Sequence, residues 1–285
     1  MIVHGLRLVA AALLALGPTG GLVAAESDRP LVELGLVGGG GWFPDYPAAS
    51  QNHAQAIVLP YLIYRGDILR SDESGIRGRF LRGERVQIDV SLGGALPADS
   101  DDNRAREGMP DLDLMGEIGP NLRFILLRRE GVSRLDLDLG LRAAFTTDFS
   151  GIDHRGLVFG PELAFKRLDL GLEGSRLRLG IGPVFADGRY MDYFYEVKPR
   201  FARPGRPAYD AQAGYLGTRI QGSYRVPVGE RLSFLAGGRV EGFWGGTNDD
   251  SPLFKENVNV SVLGGFSYSF YRSDARSRVT YDPLD

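Results

Sequence analysis

The feature that most constrains the fold of this chain is a strict alternation of apolar and polar side chains. In residues 135–142 a leucine stands at every second position, separated by aspartate, glycine and arginine. The same period recurs in 86–92, 177–181 and 258–262. Since a β-strand points successive side chains to opposite faces, each segment predicts a strand with one apolar face. The pattern fits both a soluble β-sandwich and a membrane barrel with a wet lumen.

The N-terminal segment favours the membrane barrel. His4 and Arg7 precede a short apolar run over 8–16, and a Gly-Pro pair and small residues then lead to Ala25. This order is typical of a secretory signal peptide, and the run is shorter than the roughly 20 residues of a transmembrane helix. We therefore predict a signal peptide over 1–25 that is cleaved before Glu26.

The alternating segments also have the length that a membrane strand requires, about 9–11 residues. We predict strands near 31–42, 56–65, 75–82, 85–94, 113–127, 133–146, 156–167, 176–187, 213–226, 231–244 and 257–271. The aromatic segment 190–197 is interpreted as either a twelfth strand or a folded loop. Because barrels of single bacterial chains have even strand numbers, we predict ten or twelve strands.

The predicted fold class is therefore all-β, a single antiparallel transmembrane β-barrel. It occupies 26–285, with a short C-terminal tail from about 271 to 285, in the outer membrane of a bacterium. The sequence contains no cysteine, which excludes disulfides and thiol-based metal sites, and 33 basic against 36 acidic residues give no basic field for nucleic acid.

Three stretches of the sequence resemble a known family. The first is 38–47 (GGGGWFPDYP) with 59–65 (LPYLIYR), the second is 190–197 (YMDYFYEV) with Tyr209-Asp210-Ala211 and Gly214, and the third is 248–253 (NDDSPL) with 264–270 (GGFSYSF). In this order and spacing they are similar to the MltA-interacting protein (MipA/OmpV) family of outer-membrane proteins. The chain departs from such barrels at its C-terminus, because Tyr271 to Asp285 continue past the aromatic Phe270.

The resemblance implies a non-enzymatic scaffold, embedded in outer-membrane lipid, that binds a lytic transglycosylase and a murein synthase of the cell wall. Two rival functions stay open. One is a small-solute channel or an adhesin; the other, less favoured, is a lipid-modifying hydrolase. The hydrolase would use Ser150 and His154 with Asp148 or Asp153, because a histidine can deprotonate a serine and an acid can fix its tautomer.

No catalytic, cofactor-binding or metal-binding residue is predicted. Ser150 and His154 are interpreted as part of a polar loop. Gly38 to Gly41 are interpreted as close strand packing or a kink, since they lack the lysine and serine of a phosphate loop. The acidic Asp99, Asp101 and Asp102 lack the glycine and glutamate of a calcium loop, which favours a solvated loop.

Other polar residues are assigned to the lumen. Asp136, Asp138 and Arg142 are predicted to form a charge network there, and with Arg77 and Arg79 to fill it and so to disfavour a wide pore. The glycosylation triplet at 259–261 is discounted because it falls within a strand. Six aromatic residues near strand ends are expected at the membrane interface: Trp42, Phe43, Tyr61, Tyr64, Phe243 and Trp244.

Overall fold

The computed structural model describes residues 30–65, 69–72, 75–78, 85–276 and 284 of the chain. Within them the chain is built almost entirely of strands, which confirms the predicted all-β fold. The strands are β1 (Val32–Pro44), β2 (Asn52–Arg65), β3 (Leu69–Asp72), β4 (Gly75–Gly78), β5 (Val86–Ala95), β6 (Leu114–Arg129), β7 (Ser133–Thr147), β8 (Asp153–Leu168), β9 (Arg176–Ala186), β10 (Gly214–Val228), β11 (Leu232–Gly242) and β12 (Val258–Arg272). One helix, α1 (Gly188–Tyr195), and a 3-10 turn (Pro199–Phe201) complete the described elements. Neither is long enough or apolar enough to cross a membrane.

The twelve strands form one antiparallel sheet in the order β4-β3-β2-β1-β12-β11-β10-β9-β8-β7-β6-β5. The first long strand, β1, pairs with β2 on one side and with the last strand, β12, on the other. The edge strands β4 and β5 lie side by side, so the sheet curls round on itself. The number of strands agrees with the prediction of ten or twelve. The twelfth strand is β3, however, and not the segment 190–197. Of the predicted strand at 75–82, the structure describes only β4.

The two faces of the curled sheet have opposite polarity. On β7, Asp136 is fully buried on the inner face, whereas Leu141 on the outer face is 45% exposed. The same holds on β12, where Asn259 and Ser269 are buried and the outward Phe270 is 51% exposed. A soluble protein buries its apolar face instead, so this inversion is the pattern of a barrel that faces lipid.

Inward-facing glycines explain how a narrow barrel accommodates long charged side chains. The Arg142 guanidinium lies across Gly140 and Gly160, where added Cβ atoms would come within 3.2 and 3.6 Å of it. In the same way, a Cβ on Gly180 would lie 2.6 Å from the carboxylate carbon of Glu162. The charged side chains therefore lie flat along the wall, because the wall positions beneath them have no side chain of their own.

The glycines of the run Gly38 to Gly41 allow β1 and β12 to approach closely. A Cβ on Gly39 would lie 2.8 Å from the carbonyl oxygen of Gly264, and one on Gly41 would lie 2.2 Å from that of Val262. Backbone atoms cannot yield as a flexible side chain can. This confirms close strand packing as the reason for the glycine run.

The two ends of the barrel differ. The turn end has the short connections 130–132, 169–175 and 229–231, and it also has the start of β1 and the end of β12. Beyond β12 the chain still contacts the segment before β1, because Leu31 N donates to Ala275 O at 2.7 Å and Pro30 bridges to Arg276. The first residues of the predicted tail are thus tied to the sheet. The predicted signal peptide and residues 277–283 lie outside the described residues.

Candidate functional site

The opposite end of the barrel, the loop end, is closed by packed loops. We call the loops 45–51, 96–113, 187–213 and 243–257 together the plug. Together with the top of the barrel wall they form a common apolar core. Its members include the following residues, each of which is at most 2% exposed: Tyr46, Met191, Phe194, Tyr195, Leu253, Met115 and Val158. The loop end therefore has an interior like that of a globular domain.

The helix α1 lies at the centre of the plug, where the sequence predicted either a strand or a folded loop. Asp187 caps it, accepting a hydrogen bond from Tyr190 N at 2.9 Å. Tyr190, Met191, Phe194 and Tyr195 are its buried residues. Their spacing of three and four residues places them on one face of a helix, which the run of aromatic residues concealed.

Two arginines hold the plug loops to one another through backbone carbonyls. Arg106 donates to Pro110 O at 3.0 Å and to Phe194 O at 3.5 Å. Arg206 donates to Ala105 O at 3.0 Å and to Phe201 O at 2.8 Å. Burial lowers the pKa of the Arg106 guanidinium. Since an arginine side chain has only donors, several carbonyls can share it, and the loops are cross-linked without a carboxylate.

Asn259 of β12 fixes the first plug loop. Its Oδ1 accepts from Ala48 N at 2.7 Å, and its Nδ2 donates to Ala49 O at 2.8 Å. Ala48 has a φ of 63°, a left-handed conformation that costs energy for an alanine and needs such support. Lys255 N and Glu256 N also donate to Ala48 O. Sequence reasoning saw in Asn259 only a discounted glycosylation triplet, because nothing in the sequence pairs it with a loop 210 residues away.

Buried tyrosines are a further property of the plug. Burial raises the pKa of Tyr193 to about 12, with the nearby Asp113 contributing. Burial also raises the pKa of Tyr46, Tyr190 and Tyr195. Their hydroxyls nevertheless have partners, since Tyr46 donates to Leu253 O at 2.8 Å and Tyr195 to Pro47 O at 3.1 Å.

The lumen wall below the plug has two charge networks. In the lower one, Asp136 contacts Arg134 at 2.9 Å and Lys166 at 3.3 Å, while Asp138 contacts Arg123 at 2.7 Å. This confirms the predicted network for the two aspartates. Arg142 belongs to the upper network instead, since it contacts Glu117 at 2.8 Å. Within the described residues Arg142 forms no ion pair with Asp138, whose partner is Arg123.

The serine, histidine and acids of the loop between β7 and β8 are not assembled as a catalytic triad. The Ser150 hydroxyl donates to Asp148 Oδ1 at 2.7 Å, whereas His154 Nδ1 lies 3.1 Å from an Arg189 nitrogen. The histidine ring packs instead against Phe145. The histidine is therefore not in position to deprotonate the serine, as it would be in a triad. The residues thus have the arrangement of a polar loop.

The acidic loop residues do not converge either. Asp99 Oδ1 accepts from Asp101 N at 2.9 Å, a local turn contact. Nowhere in the part of the chain that the structure describes do three potential ligands gather in a group able to hold a metal ion.

Of the six aromatic residues expected at the membrane interface, three are on the outer surface. Trp42, Tyr64 and Trp244 are 50%, 40% and 66% exposed. Tyr61 points inward and donates to Glu33 Oε1 at 3.3 Å, Phe243 is 1% exposed, and Phe43 is half-buried. Successive side chains of a strand point to opposite faces of the sheet. Tyr61 and Tyr64 are three residues apart and therefore face opposite sides.

At the turn end, the loop 169–175 has exposed apolar side chains and internal hydrogen bonds. Leu172 at its tip is 53% exposed and Leu170 is 38% exposed. Asp169 Oδ1 accepts from Gly174 N at 2.6 Å, and Leu170 O accepts from the Tyr224 hydroxyl at 2.6 Å. The loop therefore holds its two leucines in a fixed geometry.

Comparison with known proteins identifies the family. The model of the family "MltA-interacting protein MipA" matches residues 36–270, so the chain belongs to this family. No curated protein matches the sequence. Family membership and the curled sheet with its apolar outer face identify an outer-membrane β-barrel protein.

Three solved structures show distant similarity. An outer-membrane channel from Pseudomonas putida F1 is 11% identical, with 88% of this chain and 100% of that chain covered and a TM-score of 0.47. A FadL homologue from Pseudomonas aeruginosa is 11% identical, with 90% and 75% covered and a TM-score of 0.34. The toluene transporter TbuX from Ralstonia pickettii is 8% identical, with 94% and 77% covered and a TM-score of 0.24.

Proposed function

Since the chain belongs to the MipA family, we propose that it is a non-enzymatic scaffold of the outer membrane that binds a lytic transglycosylase and a murein synthase. The family's name, MltA-interacting protein, supports the lytic transglycosylase as one partner. Such a scaffold needs a stable barrel and a fixed docking surface that faces the cell wall, and it does not need an open lumen.

The observation that carries this proposal is the plug. Its core residues Met191 and Leu253 are completely buried, and Tyr195 is 1% exposed. A core of this kind has the packing of a protein interior, and a channel that passed the loop end would have to disrupt it. The plug thus favours a scaffold over the rival small-solute channel.

The docking surface is proposed to be the turn end. In outer-membrane barrels the short turns face the periplasm and the long loops face outward, which supports a position of 169–175 on the side of the cell wall. Leu172 and Leu170 offer an exposed apolar pair on a loop that is already ordered, so a partner would lose little entropy in binding it. We assign this loop to the lytic transglycosylase.

The test is an in-cell crosslink followed by affinity purification of the tagged chain from outer membranes. We expect a lytic transglycosylase and a murein synthase to be recovered with the wild-type chain. Leu172→Glu is expected to reduce recovery of the transglycosylase by about tenfold, because a charge replaces an apolar anchor worth more than 1 kcal/mol.

A matched control is Ile152→Glu, which puts the same charge on an apolar residue that is 76% exposed at the loop end. It should leave recovery unchanged. Absence of both wall enzymes from a correctly folded wild-type chain would exclude the scaffold, and regular conductance steps in planar bilayers would then favour the channel. Loss of recovery with Ile152→Glu alone would place the docking surface at the other end, and loss of cell attachment with that variant would favour an adhesin.

A further inference from the structure

The upper charge network lies on the lumen wall directly below the plug. On β10 and β11, Arg219 contacts Glu241 through Nε at 2.9 Å and through Nη2 at 2.8 Å. Glu117 on β6 accepts from Arg142 at 2.8 Å and from the Tyr190 hydroxyl at 3.0 Å. Both carboxylates of this network therefore already have an arginine partner.

Arg239 is a third arginine of the same network, and it has no such partner. It is paired across the sheet with Gln221 on β10 and Ser261 on β12. Its strongest electrostatic neighbour is Arg219, which has the same charge, and Glu241 and Glu117 follow. Among the described residues no carboxylate lies within ion-pair distance of its guanidinium. The Gln221 amide donates to Glu162, at 2.5 Å, and supplies no charge.

An arginine in this position is available to an anion. The guanidinium stays protonated in proteins, and Arg239 is only partly buried on the lumen face, so its charge is open to a ligand. Three arginines of the network face two glutamates that are already engaged, so no counter-charge remains within it. Within the described part of the chain the network therefore has one positive charge in excess, which an anion would balance.

The other free groups around Arg239 are donors as well. Arg219 uses Nε and Nη2 for Glu241, which leaves its Nη1 without a contact in the described part of the chain. Ser261 faces the lumen beside Arg239, and none of the described contacts involves its hydroxyl. A guanidinium fork flanked by further donors matches the geometry of a carboxylate or a phosphate, which accepts bidentate hydrogen bonds.

We propose that Arg239, with Arg219 and Ser261, binds an oxyanion group, a carboxylate or a phosphate, in the lumen beneath the plug. Since the plug closes the loop end, the proposed ligand would have to enter from the turn end. This site is independent of the proposed scaffold function, which concerns the outer surface of the turn end.

The test is calorimetric titration of the purified full-length mature chain in detergent, at constant chloride and ionic strength. The probes are inorganic phosphate, acetate, and an N-acetylated dipeptide with a free C-terminal carboxylate. The C-terminal amide of the same dipeptide is titrated for comparison. At least one of the three oxyanions should bind saturably. Arg239→Gln should weaken that binding about tenfold or more, since hydrogen bonds to a charged group contribute about 1.5–3 kcal/mol. Arg239→Lys should give an intermediate affinity, because it keeps the charge and loses the fork.

The matched control is Lys198→Gln, which removes the same charge from an exposed residue of the plug and should leave the affinity unchanged. Heat-modifiable mobility on electrophoresis verifies that each variant has folded. Binding of the free dipeptide but not of its amide identifies the end group of a larger molecule, and binding of phosphate alone identifies a small free anion; both support the site. The proposal is overturned if no oxyanion binds, or if Arg239→Gln binds as tightly as the wild type.

Discussion

The hydroxyl of Tyr190 donates a hydrogen bond to Glu117 Oε1 at 3.0 Å and so joins the helix of the plug to the wall of the barrel. Glu117 also accepts from Arg142, which donates in turn to the Ser91 hydroxyl at 3.2 Å. The chain of contacts runs from α1 across β6 and β7 to β5. The plug is therefore attached to the barrel by a polar network as well as by its apolar core.

Tyr190→Phe tests this attachment. Removing a buried hydrogen bond to a carboxylate should lower the free energy of unfolding by about 1.5–3 kcal/mol. The measurement is urea unfolding of the chain refolded in lipid vesicles. The control is Tyr268→Phe, because Tyr268 faces outward and is 43% exposed. Equal stability of the two variants would show that the Tyr190 contact does not stabilise the fold.

The lower charge network predicts a larger loss in the free energy of unfolding. Asp136→Asn leaves Arg134 and Lys166 facing one another without the carboxylate that they share, and breaking a buried pair costs about 3–5 kcal/mol. Asp153→Asn is the control, since Asp153 pairs with Arg155 but its side chain is 73% exposed. An exposed pair contributes about 1 kcal/mol or less. Urea unfolding compares the two, and a similar small effect for both would contradict a structural role of the network.

Asn259→Ala should loosen the first plug loop. It removes the partners of Ala48 N and Ala49 O, and each lost contact in a buried site costs about 1–3 kcal/mol. We expect faster hydrogen exchange and proteolysis within 45–51, while the strands stay protected. Asn257→Ala is the control, because the Asn257 side chain is exposed. Unchanged exchange in 45–51 would mean that the apolar core alone holds this loop.

The buried tyrosines predict a loss of plug stability in alkali. An unfolded tyrosine titrates near pH 10, and burial raises the pKa of Tyr193 to about 12. Because the folded-state pKa is the higher one, this contribution to stability is fully present below about pH 10 and is lost as the pH rises toward 12. The measurement follows tyrosinate absorbance and hydrogen exchange of the plug together as the pH rises. Tyr193→Phe should reduce the loss of plug stability in alkali. Titration of all plug tyrosines near pH 10 with the plug intact would refute the prediction.

The parts of the fold that the sequence predicted well are those set by local periodicity. Residues 135–142 lie within β7, with their aspartates on the inner face and their leucines on the outer face, because the period of two assigns every residue to a face. The alternative of a strand at 190–197 was wrong, since aromatic residues favour strands only weakly and here their spacing also fits one face of a helix. The strand β3 was missed because four residues are too few to show a period.

The sequence by itself determined that this chain forms an antiparallel barrel of strands long enough to cross a membrane, since the side-chain period and the strand lengths are local properties. Only the tertiary structure decided which partners meet. Arg142 contacts Glu117 rather than Asp138, and Asn259 contacts a loop 210 residues away, because register and curvature bring distant positions together. It also decided that the long loops pack into a plug. Their apolar residues have no period, and burial is gained only when several loops meet over one end of the barrel.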